Sequence, residues 1–371
     1  MLIILKVLFI AFIVVVSIQC LYYLLVFSKF ASSKPQKKGL KTPPVSVIVC
    51  AKNEAKNLKT FVPSILEQNY PNFEIVLIND SSSDDTLKYI KEFAEQNEHI
   101  KIVDVQKNEA FWGNKKYALT LGIKAASNEL LLFTDADCKP LSKNWIREMS
   151  SKISSTKTIV LGYGAYAKVK NSILNKLIRF ETLLTAVQYF SYAKLGIPYM
   201  GVGRNLMYTK SEFFKANGFI NHMHLKSGDD DLFINQIAKK DNTSICHAPD
   251  GFTSSIAKKS FSAWYKQKRR HVSTAVHYKR SHKFLLALYY CSQFLFFGFA
   301  IALLITTYNW EIVTALVLLR FIIQMTVMGN SAKKLHEKDL IYAFPFLEVF
   351  LIGMQMIIFI HNLISKPTYW K

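Results

Sequence analysis

Long apolar stretches at both ends of the chain constrain its fold most. One covers residues 7–27, and three more, residues 284–307, 312–328 and 342–364, lie toward the C-terminal end. A helix needs roughly 20 apolar residues to cross the hydrocarbon core of a bilayer. No short apolar core with a small-residue cleavage site precedes the lysine-rich run, so we interpret residues 7–27 as an anchor rather than a signal peptide. The sequence therefore predicts a membrane protein with one N-terminal span and about three apolar C-terminal segments.

Two charged residues interrupt the last two apolar stretches. Arg320 lies in the third stretch and Glu348 in the fourth. A charge at that depth is expensive unless it has a partner. We expect the two side chains to pair if the segments are antiparallel neighbours. The alternative is that one segment lies on the membrane surface or re-enters, and the tail at residues 366–371 does not decide between them.

The distribution of positive charge indicates a membrane partner. The net charge is +21, and five lysines with no acidic residue lie between Lys29 and Lys41. Nine lysines and arginines with no acidic residue lie between Lys258 and Lys283. Both runs abut apolar stretches, as the positive-inside rule and anionic lipid headgroups favour. We therefore expect membrane lipids and no nucleic acid as partners, with the basic runs on the cytoplasmic side.

Cysteine usage fits the same compartment. The chain has five cysteines and no C-x-x-C pair. This spacing argues against a disulfide framework and against a structural zinc site. A reducing, cytosolic setting for the central region follows.

The central region alternates short apolar runs with helix-like segments. Such alternation predicts an α/β fold with a mostly parallel sheet. In these sheets ligands bind beyond the carboxyl ends of the strands, which directs attention to residues 51–54, 79–83 and 134–138. The predicted strands are residues 45–49, 74–78, 102–105 and 130–133.

A pair of carboxylates follows the last of these strands. Asp135 and Asp137 are separated only by Ala136 and come directly after the apolar run at residues 130–133. Two carboxylates on one turn can both reach a divalent cation, because hard cations prefer oxygen ligands. Taken alone, the tripeptide fits a solvated turn better than a metal site.

Six short motifs follow one another along the central region: SVIVCAKNE at 46–54, INDSSSDDT at 78–86, GNKKYAL at 113–119, DAD at 135–137, SGDDDL at 227–232 and QKRRH at 267–271. In this order, over about residues 45–275, they resemble family 2 of the glycosyltransferases. The resemblance implies a GT-A fold, a Rossmann-like domain that binds a nucleotide-diphosphate sugar and a divalent cation, Mn²⁺ or Mg²⁺. It also implies sugar transfer with inversion to a lipid-linked or glycan acceptor.

The resemblance also implies roles for individual residues. Asp229 takes the position of the general base, and Asp135 and Asp137 take the positions of the metal ligands. A turn-forming carboxylate is the alternative for Asp80, and an ordinary exposed helix lysine is the alternative for Lys115, where Lys116 leaves the register open. The residues in donor-binding positions are Ala51, Asn53, Glu54, Asp80, Lys115, Asp135, Gln267 and Arg270.

Two motifs depart from the family pattern. Gly228 stands where the family usually has Glu, and the acidic residues that follow it could instead cap a helix. His271 replaces the Trp that polymer-making relatives use to stack an acceptor sugar, which weakens the case for a processive synthase. Gln267 and Arg270 also fit an amphipathic helix whose basic face meets lipid headgroups.

These observations predict a single-transfer enzyme at a membrane. The cell inner or plasma membrane, with the catalytic domain in the cytoplasm, is the expected location. The alternatives are a processive polysaccharide synthase, a noncatalytic nucleotide-binding scaffold and, less well supported, a transport protein. The expected division is an anchor at 1–28, a basic linker at 29–44, a GT-A domain at 45–257, an interfacial helix at 258–283 and a C-terminal membrane region at 284–371.

Overall fold

The structure is a computed structural model that describes residues 1–34, 41–106 and 115–365. Part of the basic linker, residues 35–40, lies outside the described residues. So do Gly113 and Asn114 of the third motif and the C-terminal tail at 366–371.

Within the described residues, four helices are long and apolar enough to cross a membrane, at Leu2–Ala31, Arg280–Ile305, Trp310–Lys334 and Lys338–Ile364. The first consists of α1 (Leu2–Leu21), a π-helical turn (Tyr22–Phe27) and α2 (Ser28–Ala31). Each of the four membrane-length helices contains one of the apolar stretches that the sequence indicates. The exception is Thr306 and Thr307, which belong to the second stretch and lie just beyond Ile305. The other three are α11 (Arg280–Ile305), α12 (Trp310–Lys334) and α13 (Phe344–Ile364), with a 3-10 turn at Lys338–Ala343 before α13.

A buried ion pair joins α12 to α13. The Arg320 Nη2 atom lies 2.7 Å from Glu348 Oε1, and neither side chain is more than 1% exposed. Gln324 donates to the same carboxylate at 2.8 Å, and Gln19 of α1 accepts from Arg320 at 3.1 Å. The predicted pairing of the two intramembrane charges is therefore confirmed. Because every partner is itself hydrogen-bonded, the cluster fixes how these helices pack against one another.

The central region contains a seven-stranded mixed sheet in the order β3-β2-β1-β4-β8-β6-β9. Strands β1 to β4 run parallel to their neighbours in this set, whereas β8 is antiparallel to both β4 and β6. The four predicted strands are confirmed and are each slightly longer. The strands are β1 (Val45–Ala51), β2 (Phe73–Asp80), β3 (Ile100–Val105), β4 (Leu130–Asp135), β6 (Ile159–Leu161), β8 (Leu206–Thr209) and β9 (Thr243–Ile245).

A second sheet stands beside the first. It has three strands in the order β5-β10-β7, with β5 (Cys138–Pro140) antiparallel and β7 (Gly164–Tyr166) parallel to β10 (Thr253–Ser255). Because only two residues separate the end of β4 from the start of β5, Asp135 and Asp137 lie where the chain passes from one sheet to the other.

Helices cover both faces of the large sheet. Leu58, Val62 and Ile65 of α3 are buried against one face, together with alternate residues of β1 and β2. The opposite face packs against α5 and α7 and extends to the membrane helices. The helices are α3 (Ala55–Leu66), α4 (Thr86–Gln96), α5 (Lys115–Ala125), α6 (Trp145–Ser150), α7 (Ile173–Lys194), α8 (Lys210–Lys215), α9 (Asp231–Ile237) and α10 (Phe261–Val272).

Candidate active site

A cleft of about 430 Å³ opens at the carboxyl ends of β1, β2 and β4. Glu54, Asp80, Lys115, Asp135 and Asp137 all line it, although they come from four separate stretches of the chain. Parallel strands place their carboxyl ends at one edge of the sheet, which brings these polar side chains together. The motifs that were distant in sequence therefore meet in one concave site.

Lys115 occupies the centre of this cleft. Its Nζ atom lies 2.8 Å from Asp135 Oδ1 and 2.9 Å from Asp229 Oδ2, and its side chain is 17% exposed. Burial opposes the ammonium form, but the two carboxylates outweigh it and hold the pKa of Lys115 well above its ordinary value. The lysine therefore stays charged and links the DAD motif directly to the acidic cluster.

Lys116 has a different place. Its Nζ atom donates to the backbone carbonyls of His222, Leu225 and Ser227, at 2.7, 2.9 and 2.6 Å, and the residue is 1% exposed. All three ammonium protons are used in holding the loop that leads to Asp229. Lys115 therefore faces the cleft and Lys116 faces the loop, and the role of Lys115 in donor binding stays a prediction.

The acidic cluster at the start of α9 has three distinct environments. Asp230 accepts from the Gly203 backbone N–H at 2.7 Å and caps α9 through the Asp231 N–H. Asp231 accepts hydrogen bonds from Tyr278 at 2.7 Å and from Thr274. Capping and structural roles thus fall to Asp230 and Asp231, and only Asp229 is paired with Lys115 in the cleft.

Burial changes the titration of this cluster. Burial, with the neighbouring carboxylates Asp229 and Asp231, raises the pKa of Asp230 to about 7. Burial also raises the pKa of Asp231, against the effect of the hydroxyls that donate to it. Asp230 therefore has a substantial neutral fraction near pH 7.

Gly228 explains one departure from the family pattern. Its φ of +95° is left-handed, and a Cβ there would lie 2.4 Å from Leu232 Cδ1. Both the backbone and the space therefore favour glycine over the usual Glu.

Three side chains could hold a cation at the turn after β4. Ligand atoms of Asp135, Asp137 and Cys138 all lie within 4.8 Å of one another. Cys138 is buried, its Sγ atom lies 2.8 Å from Ser255 Oγ, and burial raises the pKa of its thiol well above the ordinary value. The thiol therefore resists forming the thiolate that metals prefer. Two carboxylates are the donor set that fits a hard divalent cation such as Mn²⁺ or Mg²⁺.

Asp80 and Glu54 form another wall of the cleft. Asp80 Oδ2 lies 3.5 Å from Lys52 Nζ, and burial raises the pKa of Asp80 although Lys52 opposes the shift. Glu54 precedes α3 and accepts from Asn57 at 2.5 Å. Both residues line the cleft.

Two residues in predicted donor-binding positions do not line the cleft. Ala51 is 1% exposed at the end of β1. Asn53 has a left-handed φ of +55°, and its side-chain oxygen accepts from the Ser83 backbone N–H at 2.8 Å. Asn53 therefore joins the loop after β1 to the loop after β2. A donor-binding role for Ala51 and Asn53 stays a prediction.

The cleft continues toward the membrane helices. Gln267, Arg270 and His271 of α10 line it, and so do Leu286 of α11 and Gln355 of α13. Tyr265 and Arg269, on the other side of α10, bind α13 at His361 and Asn362 over 2.8 and 2.9 Å. One face of α10 therefore meets the cleft and another meets α13, and contact of its basic face with lipid headgroups stays a prediction.

Arg204 also lines the cleft, and the sequence did not point to it. It lies in the 3-10 turn Gly203–Asn205 before β8. A single arginine in a glycine-containing loop carries no sequence pattern. Its contact with Tyr166, at 4.3 Å from the guanidinium carbon to the ring centroid, comes from a strand distant in sequence.

The sheet order and this cleft define a GT-A domain. Residues 46–220 match the sequence profile of glycosyl transferase family 2. The chain therefore carries a domain of that family, as the order of the motifs predicted.

Two curated relatives agree with this assignment. An uncharacterized glycosyltransferase of Haemophilus influenzae is 33% identical over 129 residues, which cover 34% of this chain and 38% of the relative. A poly-beta-1,6-N-acetyl-D-glucosamine synthase of Staphylococcus epidermidis is 39% identical over 93 residues, 25% of this chain and 21% of the relative. The chain thus aligns with well under half the length of each.

One solved structure matches most of the chain. The mannosyltransferase PcManGT of Pyrobaculum calidifontis, solved in complex with GDP-Man and Mn²⁺, superposes with a TM-score of 0.60 over 89% of this chain and 98% of its own. Its sequence is 18% identical, so the likeness concerns the fold.

Proposed function

We propose that this chain is an inverting, metal-dependent glycosyltransferase that moves a sugar from a nucleotide-diphosphate sugar to a lipid-linked or membrane-proximal acceptor. The observation that carries the proposal is the position of Lys115, within 3 Å of both Asp135 and Asp229. Inverting transfer needs positive charge for a leaving diphosphate and a carboxylate for the acceptor proton in the same place. A noncatalytic scaffold has no need of that combination.

The donor side of the cleft supports a nucleotide-diphosphate sugar. Asp135 and Asp137 would hold a divalent cation, Mn²⁺ or Mg²⁺, which neutralises diphosphate charge when bound. Mn²⁺ and GDP-Man in the complex of the solved relative are consistent with this pairing of metal and donor. Lys115 and Arg270 supply further positive charge, and Asp80 and Glu54 are available for the nucleoside.

The reaction is a single displacement. The acceptor hydroxyl oxygen forms a bond to the anomeric carbon while the bond from that carbon to the diphosphate oxygen breaks. Asp229 accepts the hydroxyl proton, and the nucleoside diphosphate departs with the electron pair. Lys115 binds Asp229 in the absence of substrate, so it also orients the carboxylate that acts as base.

The membrane side supports an acceptor that resides in or near a bilayer. Four helices of sufficient length and the basic run at 258–283 fit an integral membrane protein with its catalytic domain in the cytoplasm. The cleft reaches Leu286 and Gln355 on two of those helices. We extend the proposal to the division into anchor (1–28), linker (29–44), GT-A domain (45–257), interfacial helix (258–283) and membrane region (284–371).

The test is release of nucleoside diphosphate by the purified chain. A panel of nucleotide sugars is offered with Mn²⁺ or Mg²⁺ and candidate lipid acceptors. We expect release with one donor, loss of transfer and of donor hydrolysis in Asp137→Ala, and loss of transfer with retained nucleotide binding in Asp229→Asn. No release from any donor would favour the scaffold, and retained transfer in Asp229→Asn would remove Asp229 as the base.

A processive polysaccharide synthase is the second candidate. The similarity to poly-beta-1,6-N-acetyl-D-glucosamine synthase over 93 residues favours it. His271, in place of the stacking Trp, favours single transfer. Product length from the purified chain with a single donor discriminates between them, because a synthase makes polymers and a single-transfer enzyme adds one sugar.

A further inference from the structure

We propose that Arg204 is an anion-binding residue of the cleft and that it binds a phosphate group of the acceptor. This inference rests on the proposed function and adds the chemistry of the acceptor. Its starting point is that Lys52, Lys115 and Lys268 each pair with a carboxylate, whereas within the described residues neither Arg204 nor Lys258 forms an ion pair.

The backbone of Arg204 is held from several directions. The hydroxyls of Thr134 and Thr253 donate to its carbonyl oxygen at 3.2 and 2.9 Å. On one side Gly203 donates to Asp230, and on the other Asn205 donates to the Tyr163 and Gly251 carbonyls at 2.8 and 2.7 Å. The residue therefore stands on a fixed turn between the two sheets, which is the support that a binding residue requires.

The Arg204 side chain packs in a defined position between Gly164, Tyr166 and Ser255. It lies across Gly164, where a Cβ would come within 2.5 Å of Arg204 Nε. Its guanidinium carbon lies 4.3 Å from the ring centroid of Tyr166, and Nη1 lies 3.5 Å from Ser255 Oγ. Glycine at 164 thus leaves the space that the arginine fills, and the tyrosine supports one face of it.

This packing leaves the Arg204 guanidinium able to bind an oxyanion. Contact with a ring uses the face of the guanidinium, while its N–H groups point outward in the plane. In-plane N–H pairs match the oxygens of a phosphate. A partly buried cation without a carboxylate is costly, and an incoming anion would remove that cost.

The anion belongs with the acceptor because of which wall Arg204 occupies. Lys115 faces the donor position from α5, between Asp135 and Asp229. Arg204 instead contacts β7 and β10 of the small sheet, and Lys258, which follows β10, lines the same cleft. Because the cleft leads to Leu286 and Gln355 on membrane helices, the phosphate it admits is the headgroup of a lipid acceptor. The phosphate is bound there and does not react.

The experiment compares Arg204→Gln, Arg204→Lys and Gly164→Ala with Arg147→Gln, whose guanidinium binds the Asn69 carbonyl outside the cleft. The probes are a short-chain prenyl phosphate, the matching prenol and inorganic phosphate. Binding of each probe is measured by calorimetry in detergent without donor, and the KM for the donor is measured separately by release of nucleoside diphosphate. Thermal unfolding of each variant shows whether it is folded.

We expect Arg204→Gln to weaken prenyl phosphate binding about 30-fold, while the donor KM changes less than about 3-fold. Arg204→Lys should fall between wild type and Arg204→Gln, because it keeps the charge and loses the fork. Gly164→Ala should resemble Arg204→Gln, and Arg147→Gln should resemble wild type. The prenol should bind all variants alike.

Other results overturn the inference. Unchanged phosphate binding in folded Arg204→Gln would do so, and so would a rise in the donor KM alone, which would assign the anion to the donor. Loss of inorganic phosphate binding in Arg204→Gln with prenyl phosphate binding unchanged would overturn it too, because the residue would then bind a free anion and not a lipid headgroup. If wild type binds prenyl phosphate but consumes no donor, the proposed function fails while the anion site stands.

Discussion

Replacing Lys115 by Met tests how the centre of the cleft works. The change keeps the length of the side chain and removes the ammonium that lies 2.8 Å from Asp135 and 2.9 Å from Asp229. Each hydrogen bond to a charged group contributes about 1.5–3 kcal/mol in favourable cases. Asp135 is 36% exposed, so solvent screening reduces the contribution of its contact with Lys115. We expect the free energy of unfolding to fall by about 2 kcal/mol.

The same variant should shift two binding constants in opposite directions. Without nucleotide, a divalent cation must displace the ammonium from Asp135, so Lys115→Met should bind Mn²⁺ more tightly. Two unit charges 4 Å apart interact by about 1 kcal/mol in water and about 4 kcal/mol at an effective dielectric constant of 20. A gain of about 10-fold in Mn²⁺ affinity lies toward the lower end of that range. Nucleoside diphosphate affinity at saturating Mn²⁺ should fall about 30-fold, because one charge-assisted contact is lost.

Electron paramagnetic resonance of free Mn²⁺ and calorimetry of nucleoside diphosphate measure these constants. The surface control is Lys124→Met, which replaces an exposed lysine on the same helix. Lys116→Met is the structural control, which should lower stability without raising Mn²⁺ affinity, because its ammonium contacts only backbone carbonyls among the described residues. Weaker Mn²⁺ binding in Lys115→Met, or no change in either constant, would refute the reasoning.

Three further predictions concern stability. Burial raises the pKa of Asp230 to about 7 in the folded protein, above its value in the unfolded chain. The stability that protonated Asp230 contributes should therefore be lost as pH rises from about 4 to 7. Asp230→Asn should flatten that part of a plot of melting temperature against pH, and a plot parallel to that of wild type would contradict this. Arg320→Leu should lower the stability of the folded protein by about 3–5 kcal/mol, because it leaves Glu348 buried without its partner. The double variant Arg320→Leu with Glu348→Leu should lose clearly less, as measured by thermal unfolding in detergent. A double variant as unstable as the single variant would argue against the ion pair. Gly228→Ala should cost about 1–3 kcal/mol because of its left-handed φ and the approach to Leu232, and an unchanged midpoint in the same assay would remove that explanation.

The sequence predicted the parts of the fold that have periodic patterns. Apolar runs located β1 to β4 and the four long helices, and the order of short motifs identified the family. The pairing of Arg320 with Glu348 followed from the cost of a charge in hydrocarbon. Each of these rests on a local pattern or on a strong energetic rule, which a single sequence carries.

Other features depend on contacts between distant segments. Whether Lys115 or Lys116 faces the cleft is decided by helix phase and by the loop carbonyls that Lys116 binds. The Arg204 side chain contacts Gly164, Tyr166 and Ser255, which lie on two strands of the small sheet. These strands have only three residues each and no sequence signature. No local sequence pattern predicts such contacts between distant segments.

The most direct test of the central claim is the position of Mn²⁺ in a structure of the chain with a nucleoside diphosphate. Anomalous scattering locates the ion without reference to any assumed role. The account predicts a peak about 2 Å from a carboxylate oxygen of Asp137, with the diphosphate between the ion and Lys115. A peak or a nucleotide bound elsewhere, with this cleft empty, would contradict it.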